Sequence, residues 1–315
     1  MAPPAPLRVL LVAEESAGVQ ALHAIHHANF CIAAIMASPP RDGEPQKAVW
    51  SAASKLGLEV WPANLVKDPA TASRIRETQV DILLNVHSLY VIHRDILGAP
   101  RLGAFNLHPG PLPRYAGLNS VSWAIYRGER QHGVTLHRMD PGIDTGPVVH
   151  QAIFPIEPDE TALSLAGRCV RFGIPLVLQL LNEVSREPKN ISTIEQDPQA
   201  REYFGREIPN NGSIDWSSSA KQIASFVRAC DYGPFRSPWG HPRTYLGHTQ
   251  IEVLKASRTG EGCHALPGTV GEAQENGVLI ATADEWLLVS KLKLEGTPCR
   301  PADVLRTTQR LHNSS

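Results

Sequence analysis

An excess of charge of one sign is the first thing this sequence lacks: 30 lysines and arginines stand against 31 aspartates and glutamates, for a formal net charge of -1. A surface basic enough to hold a phosphate backbone is not implied by that balance, and DNA is not expected as a partner. Cysteine is sparse as well. Cys31, Cys169, Cys230, Cys263 and Cys299 are odd in number, widely spaced and form no CxxC pair. A zinc site or a disulfide framework is therefore not expected, and scattered reduced thiols fit a cytoplasmic chain. No stretch reads as approaching the ~20 apolar residues that a membrane crossing needs, so no membrane partner is expected. The apolar run at 8–13, RVLLVA, has no basic region before it and reads as a first strand rather than a signal peptide. That run passes into EESAGVQAL, with one glycine and no GxGxxG, which argues against a dinucleotide-dependent dehydrogenase. His23 and His27 fall one helical turn apart without a carboxylate partner, and no metal site is expected from them.

What is present is alternation. Strand-like runs at 8–13, 31–37, 60–61, 81–86, 105–107, 132–139 and 146–155 are interleaved with helix signals at 17–28, 47–56, 68–78 and 119–127. This pattern predicts an α/β fold with a doubly wound, mostly parallel, Rossmann-like sheet. Apolar residues at helical spacing over 160–185 predict one long helix, broken near Gly173 and Pro175. Residues 186–214 are rich in Pro, Asn, Glu and Gly. Beyond them comes one helix, 217–230, and then short strands at 243–246, 250–257, 277–282 and 286–294. A length of 315 residues suits about two domains. The expected division is a catalytic domain over 1–188, a linker over 189–208, and a smaller β-rich, barrel-like C-terminal domain over 209–315.

The stretch 105–149, FNLHPGPLPRYAGLNSVSWAIYRGERQHGVTLHRMDPGIDTGPVV, carries the chemistry. Asn106 and His108 are two apart on a strand and share a face. Pro109, Gly110, Pro111 and Pro113 then force a turn at the carboxyl end of that strand, where open α/β sheets bind ligands. Asp144 follows about 36 residues after His108, flanked by glycines in PGIDTG. An amide, an imidazole and a carboxylate meeting at one mouth suit acyl transfer to an amine. The attacking nitrogen must lose a proton, which an imidazole takes near neutral pH. The developing oxyanion needs a donor such as an Asn N–H, and a nearby carboxylate can orient the ring or relay the proton. Singly, each residue is as well read as a buried histidine, a turn former or a cap; it is the combination on sharp turns that points to a site.

These residues resemble a known family, the 10-formyltetrahydrofolate-dependent formyltransferases, in the order and spacing of NLHPGPLPRYAG at 106–117, HGVTLHRMD at 132–140 and GIDTG at 142–146. The resemblance runs through most of residues 8–185 and, more faintly, to SIDW at 213–216. It implies 10-formyltetrahydrofolate as co-substrate and Asn106, His108 and Asp144 as catalytic residues. It also implies that Tyr90, Val91 and Ile92 form a loop against the pterin ring, and that Asp140, Pro141, Gly142 and Ile143 form a second loop bonding that ring through its backbone. Gly110, Pro111, Leu112 and Pro113 would form the folate-side turn. Pro109–Pro113 departs from the serine-containing form of that turn seen in many members, which bears on how the turn meets donor or acceptor.

The family divides by acceptor. Its members acting on methionyl-tRNA resemble this chain in length and layout, but from Arg206 onward 12 lysines and arginines face 11 aspartates and glutamates, which disfavours tRNA as a partner. The segment 114–140 resembles the formyltransferase half of a bifunctional aminoarabinose enzyme, and the expected acceptor is a small-molecule amine such as an amino sugar nucleotide or hydroxyornithine. A hydrolase releasing formate from the same donor, and a non-catalytic folate or nucleotide sensor, are the readings outside amine transfer. In CDYGPFRSPWGHPR, 230–243, Tyr232, Phe235 and Trp239 either pack the junction or cover an acceptor.

Overall fold

A computed structural model describes residues 6–40, 47–88, 90–188 and 190–313. From the N-terminus run β1 (Arg8–Ala13), α1 (Glu15–His27), β2 (Cys31–Ala37), α2 (Ala48–Lys55), β3 (Val60–Pro62), α3 (Thr71–Glu77), β4 (Ile82–Val86), α4 (Arg94–Leu97), β5 (Gly103–His108), β6 (Ala116–Gly117), α5 (Ser120–Arg127), β7 (Gln131–Arg138) and β8 (Val148–Pro155). After them come α6 (Ala162–Arg186), β9 (Tyr203–Phe204), α7 (Ala220–Ala229), β10 (Arg243–Leu246), β11 (Thr249–Gly262), β12 (Val270–Gln274), β13 (Gly277–Ala281), β14 (Glu285–Leu294), β15 (Thr297–Cys299) and α8 (Pro301–Val304). Two compact units interleave in sequence. The first takes Met1–Gly117, Gly133–Phe154 and Gly167–Tyr203; the second takes Leu118–His132, Pro155–Ala166 and Phe204–Ser315.

The first unit is built on a seven-stranded sheet of order β3-β2-β1-β4-β5-β7-β8. Neighbours from β3 to β5 are parallel, and β7 joins β5 antiparallel. This is the doubly wound, mostly parallel sheet expected. Its central strands are apolar on both faces: Val9 to Val12 and Ile82 to Leu84 are fully buried, as strands covered on both sides must be. On α1, Ala17, Ala21 and Ile25 form the buried stripe at helical spacing, with Glu15 in the first turn and His26 and His27 in the last, each complementing the helix dipole.

Two expectations about α6 are corrected. It runs unbroken for 25 residues through Pro175. Pro175 sits on the solvent side, where water can take the carbonyl it leaves unpaired, while Cys169, Val177, Leu180, Leu181 and Val184 are buried on the other. At Gly173 a Cβ would lie 2.9 Å from Leu107 and 3.0 Å from Val134, so the missing side chain lets the helix close onto β5 and β7. The helix is also long and apolar enough by length and composition to cross a membrane, contrary to the sequence reading. Its outer face nevertheless exposes Arg171, Gln179, Asn182 and Glu183.

The second unit holds α5, α7 and an antiparallel sheet of order β10-β11-β14-β13-β12, with β15 on β14. Its core gathers Trp216, Ile223, Val227, Ile251, Val253, Ile280, Leu287 and Val289. A capping box, Ser219 with Gln222, starts α7. Strands β12 and β15 escaped the sequence reading because one has a single buried residue, Val270, and the other is a three-residue edge containing Pro298. Trp239 is buried and meets Trp123 edge-on at 4.9 Å between ring centroids, and the Tyr232 hydroxyl lies 2.9 Å from Ser122 Oγ. Both therefore pack the unit, whereas Phe235 is exposed.

Replacing Gly173 by Val should force α6 away from Leu107 and Val134. Urea titration is expected to show a loss of about 1–3 kcal/mol, the usual cost of overpacking; a midpoint equal to wild type would contradict the close approach.

Candidate active site

Strand β5 sends Leu107 toward α6 and, by alternation, Asn106 and His108 to the opposite face. His108 is almost wholly buried. Its Nε2 lies 2.7 Å from the Tyr115 carbonyl, which can only accept, so Nε2 carries a proton. Its Nδ1 faces Asp144 Oδ2 at 3.4 Å. The turn between them is tight: a Cβ at Gly110 would stand 2.7 Å from His108 Nε2 and 2.9 Å from Tyr115 O. Thr135 Oγ1 ties the turn down by donating to Gly110 O at 2.7 Å while accepting from Leu112 N–H at 3.1 Å. Gln151 Nε2 donates to Leu112 O at 2.8 Å.

Asp144 takes a left-handed conformation, φ 54, as does Tyr115, φ 60. Such backbone is costly for a residue with a Cβ and is held by its surroundings. The Gly117 amide donates to Asp144 Oδ2 at 2.9 Å. Asn106 Nδ2 donates to Oδ1 at 3.3 Å, and His137 Nε2 lies 3.4 Å from the same oxygen. Burial alone would raise the carboxyl. The His108 charge and the Gly117 amide outweigh it and hold Asp144 well below the usual carboxylate range. For His108 burial dominates and lowers the imidazole. Asp144 and the Tyr115 carbonyl oppose that effect, and the charges of His137 and Arg201 reinforce it.

Asn106, His108 and Asp144 thus converge as expected from the sequence. Four further residues join them that sequence reasoning missed. His137 stands opposite Asn106 in the β5–β7 register; its Nδ1 donates to Arg138 O at 2.9 Å, which leaves Nε2 to accept from Asn106 Nδ2 at 3.1 Å. Asn85 is paired with Asn106 across β4–β5 and donates to Asn106 Oδ1 at 2.9 Å. With a carboxylate on one side and the Asn85 amide on the other, Asn106 has one satisfied orientation, its NH₂ toward Asp144. Gln196 and Arg201 reach the turn at 143–146 from a segment read as linker. His137 lay in plain view within HGVTLHRMD, two positions from Thr135 on one strand face, but its pairing with Asn106 needs the antiparallel register. Asn85 left no signal beyond a polar residue inside an apolar strand.

The loops named from the resemblance divide by exposure. Val91 is 68% exposed and Ile143 is 48% exposed. Pro141 and Gly142 are also on the surface. Ile92 is buried in the core of the first unit, so only its backbone is placed to meet a ligand, and Tyr90 has Lys67 Nζ over its ring at 5.1 Å. Asp140 Oδ1 accepts from Gly142 N–H at 3.0 Å and Thr145 Oγ1 at 2.5 Å, which shapes the second loop. Gly110 and Leu112 are buried, with Pro111 and Pro113 partly exposed. Asn85 Oδ1 and Ser88 Oγ are buried polar atoms with no partner among the described residues.

A site of this composition at the carboxyl end of a parallel sheet defines a group-transfer enzyme of the α/β class. Residues 9–180 match the model of the family described as formyl transferase, and residues 208–309 match that of its C-terminal domain. The chain belongs to the formyl transferase family. Among relatives, the methionyl-tRNA formyltransferase of Pseudomonas syringae is 28% identical over 297 residues, spanning 92% of this chain and 91% of its own. That of Nitrosococcus oceani is 29% identical over 235 residues, 75% of this chain and 70% of its own. The N-formyltransferase of Helicobacter canadensis, solved with folinic acid and dTDP-3-aminofucose, superposes with a TM-score of 0.67 at 20% identity, covering 90% of this chain and 99% of its own. HypX of Aquifex aeolicus, solved with tetrahydrofolic acid, gives 0.67 at 18% identity over 96% of this chain and 47% of its own.

The displaced ionisations couple to stability. His108 is lowered in the folded state, so below its ordinary value near 6.5 the unfolded chain takes up a proton that the folded chain resists, and stability falls as pH falls. Asp144 adds a second loss below the ordinary carboxylate value of about 3.9, where unfolded Asp protonates before the folded one. Urea titrations at pH 7.5 and 5.5 are expected to show wild type losing stability that His108→Asn does not lose. Parallel behaviour of the two proteins would refute the burial argument.

Proposed function

We propose that the protein transfers a formyl group from 10-formyltetrahydrofolate to the primary amine of a small-molecule acceptor, with Asn106, His108 and Asp144 as catalytic residues. The observation that carries this reading is the 3.4 Å approach of His108 Nδ1 to the Asp144 carboxylate, with Asn106 bonded to the same side chain. The residues present suit the donor. Exposed Val91 and Ile143 offer apolar contact to a flat ring. Tyr90, the backbone of Ile92, the loop Asp140–Ile143 and the turn Gly110–Pro113 would complete the donor side.

When bound, 10-formyltetrahydrofolate supplies a carbonyl carbon on nitrogen, already electrophilic. The chain's own part is to manage protons and charge. As the amine nitrogen bonds to the formyl carbon, the carbonyl π electrons move to oxygen. Asn106 Nδ2 meets that oxygen by giving up its long bond to Asp144, which pairs the donor with the oxyanion only as charge develops. His108 acts as the base, but through one nitrogen: with Nε2 committed to Tyr115 O, the amine proton is received at Nδ1, on the side of Asp144. Asp144 stabilises the resulting imidazolium and guides the proton back to the leaving nitrogen as its bond to the formyl carbon breaks. The products are a formamide and tetrahydrofolate.

A small acceptor is supported by the near-neutral balance beyond Arg206, 12 basic against 11 acidic residues, which supplies no excess charge for a phosphate backbone. The names of the two relatives above favour a second reading, methionyl-tRNA as acceptor.

His108→Ala and Asp144→Ala are expected to lower formyl transfer by at least about 100-fold with circular dichroism unchanged, and Asn106→Ala by about 100- to 1,000-fold. Near wild-type turnover in folded His108→Ala or Asp144→Ala would remove the assignment. The acceptor is decided by offering nucleotide amino sugars, hydroxyornithine and methionyl-tRNA with the donor and measuring product mass. Formylated methionyl-tRNA at low salt and at 150 mM salt alike would reverse the choice of acceptor, and formate released from the donor alone would indicate a hydrolase.

A further inference from the structure

Residues 190–203 carry no strand or helix of four residues or more and read in sequence as a connector. In the fold they belong to the first unit, docked by the paired backbone bonds of Val148 and Ile194, each 2.8 Å. Two side chains then turn toward the Asp144 turn. Gln196 Nε2 donates to Asp144 O at 2.9 Å and to Gly146 O at 2.6 Å. Arg201 donates to Ile143 O at 2.9 Å and to Asp144 O at 3.4 Å. We infer that Gln196 and Arg201 are positioning residues for the proton-handling pair, holding the Asp144 carboxylate against His108 by clamping the backbone carbonyls of residues 143 to 146. The inference rests on the proposed roles of His108 and Asp144.

The clamp is needed because Asp144 occupies left-handed backbone, φ 54, which a residue with a Cβ leaves readily unless it is held. Releasing the carbonyls would let the peptide rotate and withdraw the carboxylate from the Gly117 amide and from His108 together. Gln196 supplies hydrogen bonds without charge. Arg201 supplies hydrogen bonds and a cation. The groups that set the His108 proton are therefore Asp144 and the Tyr115 carbonyl, which favour it, and His137 and Arg201, which oppose it beside the effect of burial. The two clamp residues separate into a mechanical and an electrical part, and substitutions can tell them apart.

The test uses the full chain with ¹³C-labelled histidine, its His108 resonance identified by loss in His108→Asn, and needs no acceptor. Arg201→Met removes a cation as well as two hydrogen bonds, so its His108 titration midpoint should lie above that of Gln196→Ala. Arg201→Lys should remove most of that difference. Gln196→Ala, which loosens the turn and draws the carboxylate away from His108, should move the midpoint downward while the Gly117 amide exchanges with solvent at least about tenfold faster. Circular dichroism establishes folding, and Arg201→Gln replaces Arg201→Met should the latter unfold. A Gln196→Ala midpoint equal to or above wild type, a midpoint in folded Arg201→Met or Arg201→Gln no higher than in Gln196→Ala, or wild-type Gly117 protection in Gln196→Ala overturns the inference. An active His108→Ala enzyme would instead remove the proposed function and leave these shifts in place, so the two failures are distinct.

Discussion

The Asp144 carboxylate, largely shielded from water, is the anion around which the rest of the site is arranged. Taking a carboxylate out of water costs several kcal/mol unless hydrogen bonds and opposite charge replace the lost hydration. Here the replacements are the Gly117 amide and His108 on one oxygen, and Asn106, whose amide also donates to His137, on the other. Asn106 and His108 come from β5, His137 from β7 and Gly117 from the segment after the turn, so the requirement to satisfy this one group fixes the relative placement of β5, β7, the turn after β5 and the loop before β8. The left-handed backbone at Tyr115 and Asp144 is the local cost of bringing a carbonyl and a carboxylate to opposite ends of one imidazole.

The fold supplies that convergence through one reversal in an otherwise parallel sheet. Because β7 runs against β5, His137 lands directly opposite Asn106, and the chain must turn back through residues 139–146 to bring Asp144 alongside. Asn85, next to Asn106 on the parallel side, gives the amide one hydrogen-bonded orientation. Three adjacent strands, β4, β5 and β7, therefore carry a polar line, Asn85–Asn106–His137, across an otherwise largely apolar layer, and the sheet pairing itself aligns it.

Much of this was legible in the sequence, and the reasons for the rest are physical. The apolar runs of β1 and β4 announced a parallel sheet, since only strands covered on both faces can be continuously apolar. The spacing of Asn106 and His108 and the glycine-flanked Asp144 announced a site. The continuity of α6 was hidden because Gly173 and Pro175 break helices in isolation, whereas here the partner strands need the first and solvent tolerates the second. Gln196 and Arg201 were hidden for a different reason: polar residues in a proline-bearing connector have no period, and only the folded chain shows that their donors meet carbonyls some fifty positions away.

Gly110 sets a limit on how the imidazole beside it can behave. With that peptide pressed close to His108 Nε2 and Tyr115 O, and a carboxylate at the far edge of the ring, a half-turn of the ring would set carbon against each acceptor. The ring thus has a single resting pose, and the only variable left to it is whether Nδ1 is occupied. Such a group behaves as a fixed two-state store rather than as a swinging arm, so any long-range carriage of protons belongs to the reactants and the solvent.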